Sequence, residues 1–212
     1  TLSPTALDAA KWMMPSMALC LPVRTPFWTV VLGAFGAIGL GKLVYGGVGR
    51  NSVNPAIVGV CVTLLCPGSL VLSPGMGYGV KSPYLFALAM ILGLGFMLWK
   101  RIITWHIPIS IIVTTIVLAG VTVVADPAYA DPFNLVLGGG TLLGAVFMAT
   151  DYTTSPMSRP GKIFYGIAIA AIAVMLRTHG EERNAMLIAI FAMNILTPIV
   201  DRIFKPRRYG KA

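Results

Sequence analysis

Charge is what this sequence has least of. Its 212 residues include sixteen Lys and Arg and seven Asp and Glu, and charged side chains make up 11% of the chain. An ordinary soluble domain carries about 25%. Cysteine is sparse as well: Cys20, Cys61 and Cys66 all fall in apolar stretches. The Cys61-x4-Cys66 spacing is not that of a zinc site, and the three are expected to be small buried hydrophobes. Cysteine-rich iron–sulfur runs, Gly-x-Ser-x-Gly, a P-loop and His-Glu-x-x-His are all missing, which excludes the commonest self-contained enzyme chemistries. Gly46–Gly49 is too short, and wrongly placed behind an apolar helix, to be a dinucleotide fingerprint.

What fills the sequence instead is apolar residues, 57% of the total, with a mean hydropathy of +0.83. They gather into long uncharged runs, several of which reach the roughly 17–25 residues needed to cross a hydrocarbon core. Eight segments are expected: 12–22, 27–47, 55–73, 83–99, 107–125, 135–150, 162–177 and 184–201. The fold class is therefore an all-α integral membrane protein, a multi-spanning helical bundle. The formal charge of +9 does not indicate nucleic acid, because the basic residues lie between apolar runs and in the tail Arg202–Lys211 rather than on one face. Such clusters anchor a chain against anionic lipid. No signal peptide is visible, and because the chain begins at Thr1, a native start further upstream is expected.

Orientation follows from the same charges. Lys100-Arg101 is short and basic and is expected on the cytoplasmic side, whereas Asp126–Asp131 has no basic residue and is expected outside. Alternation from these two places Arg50, Arg159, Lys162 and the C-terminal tail inside, so a multi-pass protein of the inner cell membrane is expected. Arg24, Lys81 and the loop Arg177–Arg183 fit less well. Segments 12–22 and 135–150 are too short or too interrupted to be plain spans: the first holds Pro15 and Pro22, and the second contains Gly138-Gly139-Gly140 and runs into Asp151 and Pro156. Broken helices survive at membrane depth only where protein or a polar cavity satisfies the freed backbone.

The chain also carries a degenerate repeat offset by about 133 residues. Segment 12–22 corresponds to 135–150, segment 27–47 to 162–177, and 55–73 to 184–201, with Gly49-Arg50-Asn51 matching Glu182-Arg183-Asn184. One membrane domain over 1–212 is expected, built of repeat one at 8–73, linking helices at 83–125 and repeat two at 135–204. The copies run in opposite directions, an inverted-topology repeat with broken half-helices. That architecture places binding sites near the midplane.

Three stretches carry a family resemblance. Gly46-Gly47-Val48-Gly49-Arg50-Asn51 with Asn54-Pro55-Ala56, Lys100–Pro108, and Gly138–Asp151 with Thr154-Ser155-Pro156 resemble the family shared by the D-type component of Rnf electron-transport complexes and the B-type component of the sodium-translocating NADH:quinone oxidoreductase. The ending Asp201-Arg202 with Pro206–Gly210 is similar to the Rnf branch. The resemblance implies a membrane subunit, not catalytic alone, of an ion-pumping complex that passes electrons between ferredoxin and NAD or a related acceptor. It implies partner membrane and soluble subunits of the Rnf complex, iron–sulfur and flavin subunits among them, that handle NAD and ferredoxin. It implies two further N-terminal helices and a covalent FMN on a Thr-Gly-Ala-Thr motif in the external loop after segment 55–73, and it leaves room for riboflavin. Here that loop, Ser73–Pro83, contains no threonine.

The candidate cofactor-binding residues are Arg50, Asn54, Thr141, Asp151 and Thr154. Arg50 and Asn54 open a segment, where they can bind an anionic group or serve as cytoplasmic charge and helix cap. Asp151, following a broken helix, is either a functional acid or a cap. Lys42 reads as a snorkelling side chain, and His106 beside Trp105 as an interfacial anchor. No catalytic or metal-ligating residue is expected. Two alternatives to the redox reading stand at this point, a small-solute channel or transporter and a flavin-free structural subunit of the same complex.

Overall fold

The computed structural model describes residues 17, 20–21, 25–44, 53–66, 83–125, 132–137, 140–180 and 184–205. Every regular element among them is helical. In chain order they are α1 (Phe27–Ile38), continued by a π-helical turn (Gly39–Leu43), α2 (Pro55–Leu65), α3 (Pro83–Trp99), α4 (His106–Ala125), α5 (Pro132–Leu137), α6 (Thr141–Leu143), continued by a second π-helical turn (Gly144–Met148), α7 (Arg159–Thr178) and α8 (Ala185–Ile203). The chain is an all-α integral membrane protein. Among the described residues, His106–Val124, Arg159–Thr178 and Ala185–Ile203 are long and apolar enough to span, while Phe27–Gly41 and Tyr84–Trp99 are shorter apolar helices.

Local chemistry sets the ends. Pro55 fits the first turn of α2, where its missing N–H costs nothing, and Asn54 caps it. Within the segment expected over 55–73, α2 ends at Leu65, because Cys66 precedes Pro67 and adopts an extended backbone (ψ 131°); residues 67–73 lie outside the described residues. Likewise the expected helix 27–47 is α-helical only to Ile38 before it widens. Ser158 caps α7 by accepting from the Gly161 N–H at 3.2 Å, and Gly180 ends it at φ +95°. The broken character expected of 135–150 is observed, beginning at Pro132. Of 12–22, only Met17, Cys20 and Leu21 lie among the described residues, and all three are buried. Arg50, the stretch 73–82, the tail beyond 205 and the side chain of Lys42 lie outside what the structure describes.

The helices pair closely: α1 with α2, α4 with α7, and α7 with α8. At the α1–α2 crossing the backbones nearly touch. A Cβ on Gly33 would stand 2.9 Å from the Gly59 carbonyl oxygen, and one on Gly59 2.8 Å from that of Gly33. Small residues permit this approach, and dispersion at such distances holds helices together where lipid offers no hydrophobic drive. The core is built from Ile57, Val60, Ile111, Leu143, Ile169 and Ile190 with their neighbours. Val113, Val117, Val121 and Val124 of α4 are exposed along one stripe, an apolar face presented to lipid.

Candidate functional site

The interrupted helix 132–148 organises the polar interior. Its first piece ends at Leu137, and Gly140 enters the second piece in the left-handed region (φ +71°), which glycine adopts without a Cβ clash. A helix end inside a dry bundle leaves carbonyls without partners. Here the Leu135 carbonyl accepts the Thr141 hydroxyl at 2.7 Å and Nη1 of Arg177 at 3.1 Å. Nη2 of Arg177 also donates to the Thr141 oxygen at 2.8 Å. Arg177 is only 4% exposed, and a guanidinium stays charged in any protein environment. A permanent positive charge is thus built into the break, held by a carbonyl and a hydroxyl.

At its other end the helix finishes as a π-turn, and the Met148 carbonyl accepts Nδ2 of Asn54 at 3.1 Å. Oδ1 of the same amide accepts the Ala56 N–H at 2.9 Å, so Asn54 caps α2 and grips a segment 94 residues away. Cys20 completes the junction, its thiol 3.5 Å from the Met148 sulfur. Cys20, from the segment 12–22, therefore meets the interrupted helix at Met148.

Beyond it lies a turn built on Asp151. Its carboxylate accepts the hydroxyls of Thr153 at 2.9 Å and Thr154 at 3.2 Å, and its backbone carbonyl accepts the Ser155 N–H at 3.1 Å. The Thr154 carbonyl in turn receives the Thr197 hydroxyl at 2.9 Å. Thr197 precedes Pro198 inside α8. Proline has no N–H for the carbonyl one turn back, and that residue is Asn194. The Tyr165 hydroxyl donates to Oδ1 of Asn194 at 2.5 Å, and both side chains are 0% exposed. Nδ2 of Asn194 is enclosed with no hydrogen-bond partner. Hydroxyl, amide and carboxylate groups in this order are suited to holding water or relaying a proton between α7, α8 and the 151–155 turn.

The structure thus divides the sequence candidates. Asn54, Asp151 and Thr154 gather near the end of the π-turn, while Thr141 sits at the break, about 15 Å along the helix from Asp151 at 1.5 Å per residue. Arg177, Tyr165 and Asn194 are not among the residues that the sequence singles out. The sequence places Arg177 in a loop, yet it continues the buried stripe Gly166, Ile169, Ala170, Ala173 and Val174 at helical spacing. Extending that stripe one turn is the signal that finds it. For a covalent FMN the residues do not fit: the stretch 73–82 offers Ser73 and Ser82 but no threonine.

Comparison with known proteins places this geometry. The model of the NQR2, RnfD, RnfE family matches residues 15–72 and 76–210. The D-type component of the Na(+)-translocating ferredoxin:NAD(+) oxidoreductase complex of Acetobacterium woodii is 31% identical over 229 residues, covering 92% of this chain and 70% of that protein. The D-type component of the ion-translocating oxidoreductase complex of Stutzerimonas stutzeri is 30% identical over 260 residues, 92% and 73% of the two chains. Its counterpart in Halorhodospira halophila is 30% identical over 267, covering 95% and 74%. All three matches are longer than the 212 residues of the chain, so these relatives carry interior segments without a counterpart here.

Proposed function

The chain belongs to the NQR2, RnfD, RnfE family, and on that premise we propose that it serves as the D-type membrane subunit of an ion-translocating ferredoxin:NAD oxidoreductase complex. The observation that carries the reading furthest is the broken helix 132–148, fixed at one end by Arg177 and at the other by Asn54. A charged group at a helix break within a bundle serves ion or electron coupling better than it serves stability. The redox chemistry itself belongs to partner subunits, with soluble and iron–sulfur components delivering electrons.

Two structural elements of the proposal have support of their own. The inverted repeat is supported by the pairing of α1 with α2 and of α7 with α8, and by the meeting of Cys20 and Asn54 with Met148. The orientation, with Lys100-Arg101 and the C-terminus on the cytoplasmic side of the inner membrane, is supported by the charge distribution.

The flavin stands apart, since this chain lacks the threonine that would carry it. We propose that the native gene encodes an external Thr-Gly-Ala-Thr segment between Leu72 and Tyr84, whose second threonine bears FMN. The break in the family match between residues 72 and 76 supports an interior difference at that place. Sequencing the gene, with intact mass and in-gel flavin fluorescence of the denatured protein, tests both halves. The absence of threonine from 73–82 favours a second reading, a flavin-free subunit of the same complex. A reading frame that runs from Ser73 through Pro74–Lys81 to Ser82 with nothing inserted, together with no fluorescence, decides for it. Copurification with membrane and soluble redox subunits is expected in either case, and a homo-oligomer that moves solute without partners would overturn both.

A further inference from the structure

Two adjoining hollows lie where α4 and α7 begin. The larger, about 750 Å³, is lined by Arg101, Arg159, Lys162 and His106, with Trp105 and Thr104. The smaller, about 260 Å³, shares Trp105 and His106 and runs along the helices between Ile109, Val113, Ile163 and Ile167. The first is basic and open to the interface. The second is almost wholly apolar, and its four aliphatic side chains are each about two-fifths to one-half exposed.

Several details make the larger hollow a built one. Lys162 donates to the Thr104 hydroxyl at 3.3 Å, which ties the 101–105 turn to α7 and holds two basic segments side by side. Arg101 stands at φ +55°, a conformation that non-glycine residues rarely keep without a reason. The Trp105 ring stacks on His106 with centroids 4.2 Å apart. Nδ1 of His106 is enclosed and has no hydrogen-bond partner, and Arg159 and Lys162 line the same hollow. Three cations gathered in one hollow favour an anion there.

We propose that the paired hollows bind one anionic phospholipid, its phosphate held by Arg101, Arg159 and Lys162 and an acyl chain laid in the groove between α4 and α7. Both helices are long and apolar enough to span a membrane, which puts their common end at headgroup depth, where tryptophan also favours the interface. A free phosphate would satisfy the cations and leave the groove bare. A neutral lipid would fill the groove and leave the cations unneutralised. An anionic lipid matches both, and each basic group near an anionic membrane strengthens association. The inference does not depend on the flavin or on the redox reading.

Tryptophan quenching tests it. The full chain, alone and in its complex, is reconstituted in phosphatidylcholine vesicles doped with brominated phosphatidylglycerol or, at equal mole fraction, brominated phosphatidylcholine. Phosphatidylglycerol is expected to associate at least about tenfold more strongly. The excess quenching should vanish in Trp105→Phe and in Arg159→Gln/Lys162→Gln, and a bulky Val113→Phe should weaken it while leaving the cations in place. Helical circular dichroism of each variant establishes that it has folded. Equal quenching by the two lipids, or an excess that survives Arg159→Gln/Lys162→Gln, overturns the proposal. Displacement by inorganic phosphate, at an ionic strength where sodium chloride has no effect, assigns the basic hollow to a free anion and overturns the lipid. An excess seen with the isolated chain but absent in the complex assigns the groove to a neighbouring subunit and also overturns it.

Discussion

Replacing Asn54 separates the two tasks its amide performs. Oδ1 caps α2 through Ala56, and Nδ2 satisfies the Met148 carbonyl at the end of the π-turn. Loss of an asparagine cap costs about 1 kcal/mol, within a range of roughly 0.5–2. Leaving a buried carbonyl unsatisfied costs about 1–3 kcal/mol more. Asn54→Ala should therefore destabilise the fold by about 2–4 kcal/mol. Asn54→Ser keeps a good cap but cannot reach Met148, and should lose only the second part, about 1–3 kcal/mol. Asn54→Asp also keeps the cap, yet sets a carboxylate against a carbonyl oxygen, and should be at least as damaging as Ala at neutral pH. Unfolding in mixed detergent micelles, followed by helical circular dichroism, gives the ranking. Alkylation of Cys20, in a background where Cys61 and Cys66 are Ala, gives a local readout, because Cys20 is buried against Met148. If Asn54→Ser matches the parent in both measurements while Asn54→Ala loses only the cap, the bond between the two halves contributes nothing and the reasoning fails.

Three further outcomes follow from the same interior. Arg177→Ala removes the charge-assisted bonds to the Leu135 carbonyl and the Thr141 hydroxyl, but the Leu135 carbonyl keeps the Thr141 hydroxyl, so a loss of about 2–4 kcal/mol is expected, with Arg177→Lys milder. The same micelle titration checks it, and equal losses for Ala and Lys would argue against a forked contact. Tyr165→Phe should cost about 1–3 kcal/mol by stripping the last partner from the Asn194 amide. Adding Asn194→Leu should recover most of that loss in an unfolding cycle, since the orphan donor goes with it. Asp151→Asn can still accept the hydroxyls of Thr153 and Thr154, so stability should change by less than about 1 kcal/mol. Ferredoxin-driven ion uptake by vesicles bearing the complex would then distinguish a functional acid, which fails in Asp151→Asn, from a turn cap, which does not.

Much of the scaffold is legible along the chain because its causes are local. Apolar run length identifies a membrane protein, Asn54-Pro55 marks a helix start, and Gly138-Gly139-Gly140 marks the break. The end of α2 at Leu65 has a local cause as well, since Pro67 restricts Cys66 to an extended backbone.

What sequence alone determined, then, is that the chain is helical, lies in a membrane, and interrupts one helix near residue 140. Only the tertiary structure decided how the exposed backbone at that interruption is satisfied. Arg177 reaches Leu135 across 42 residues and Asn54 reaches Met148 across 94. Tyr165 finds Asn194, and the 101–106 turn finds Arg159 and Lys162 to shape a basic hollow. Periodicity and composition report what each segment does against its own solvent. In a dry interior every polar group must find a donor or acceptor on another element, and that matching is fixed by how the helices cross.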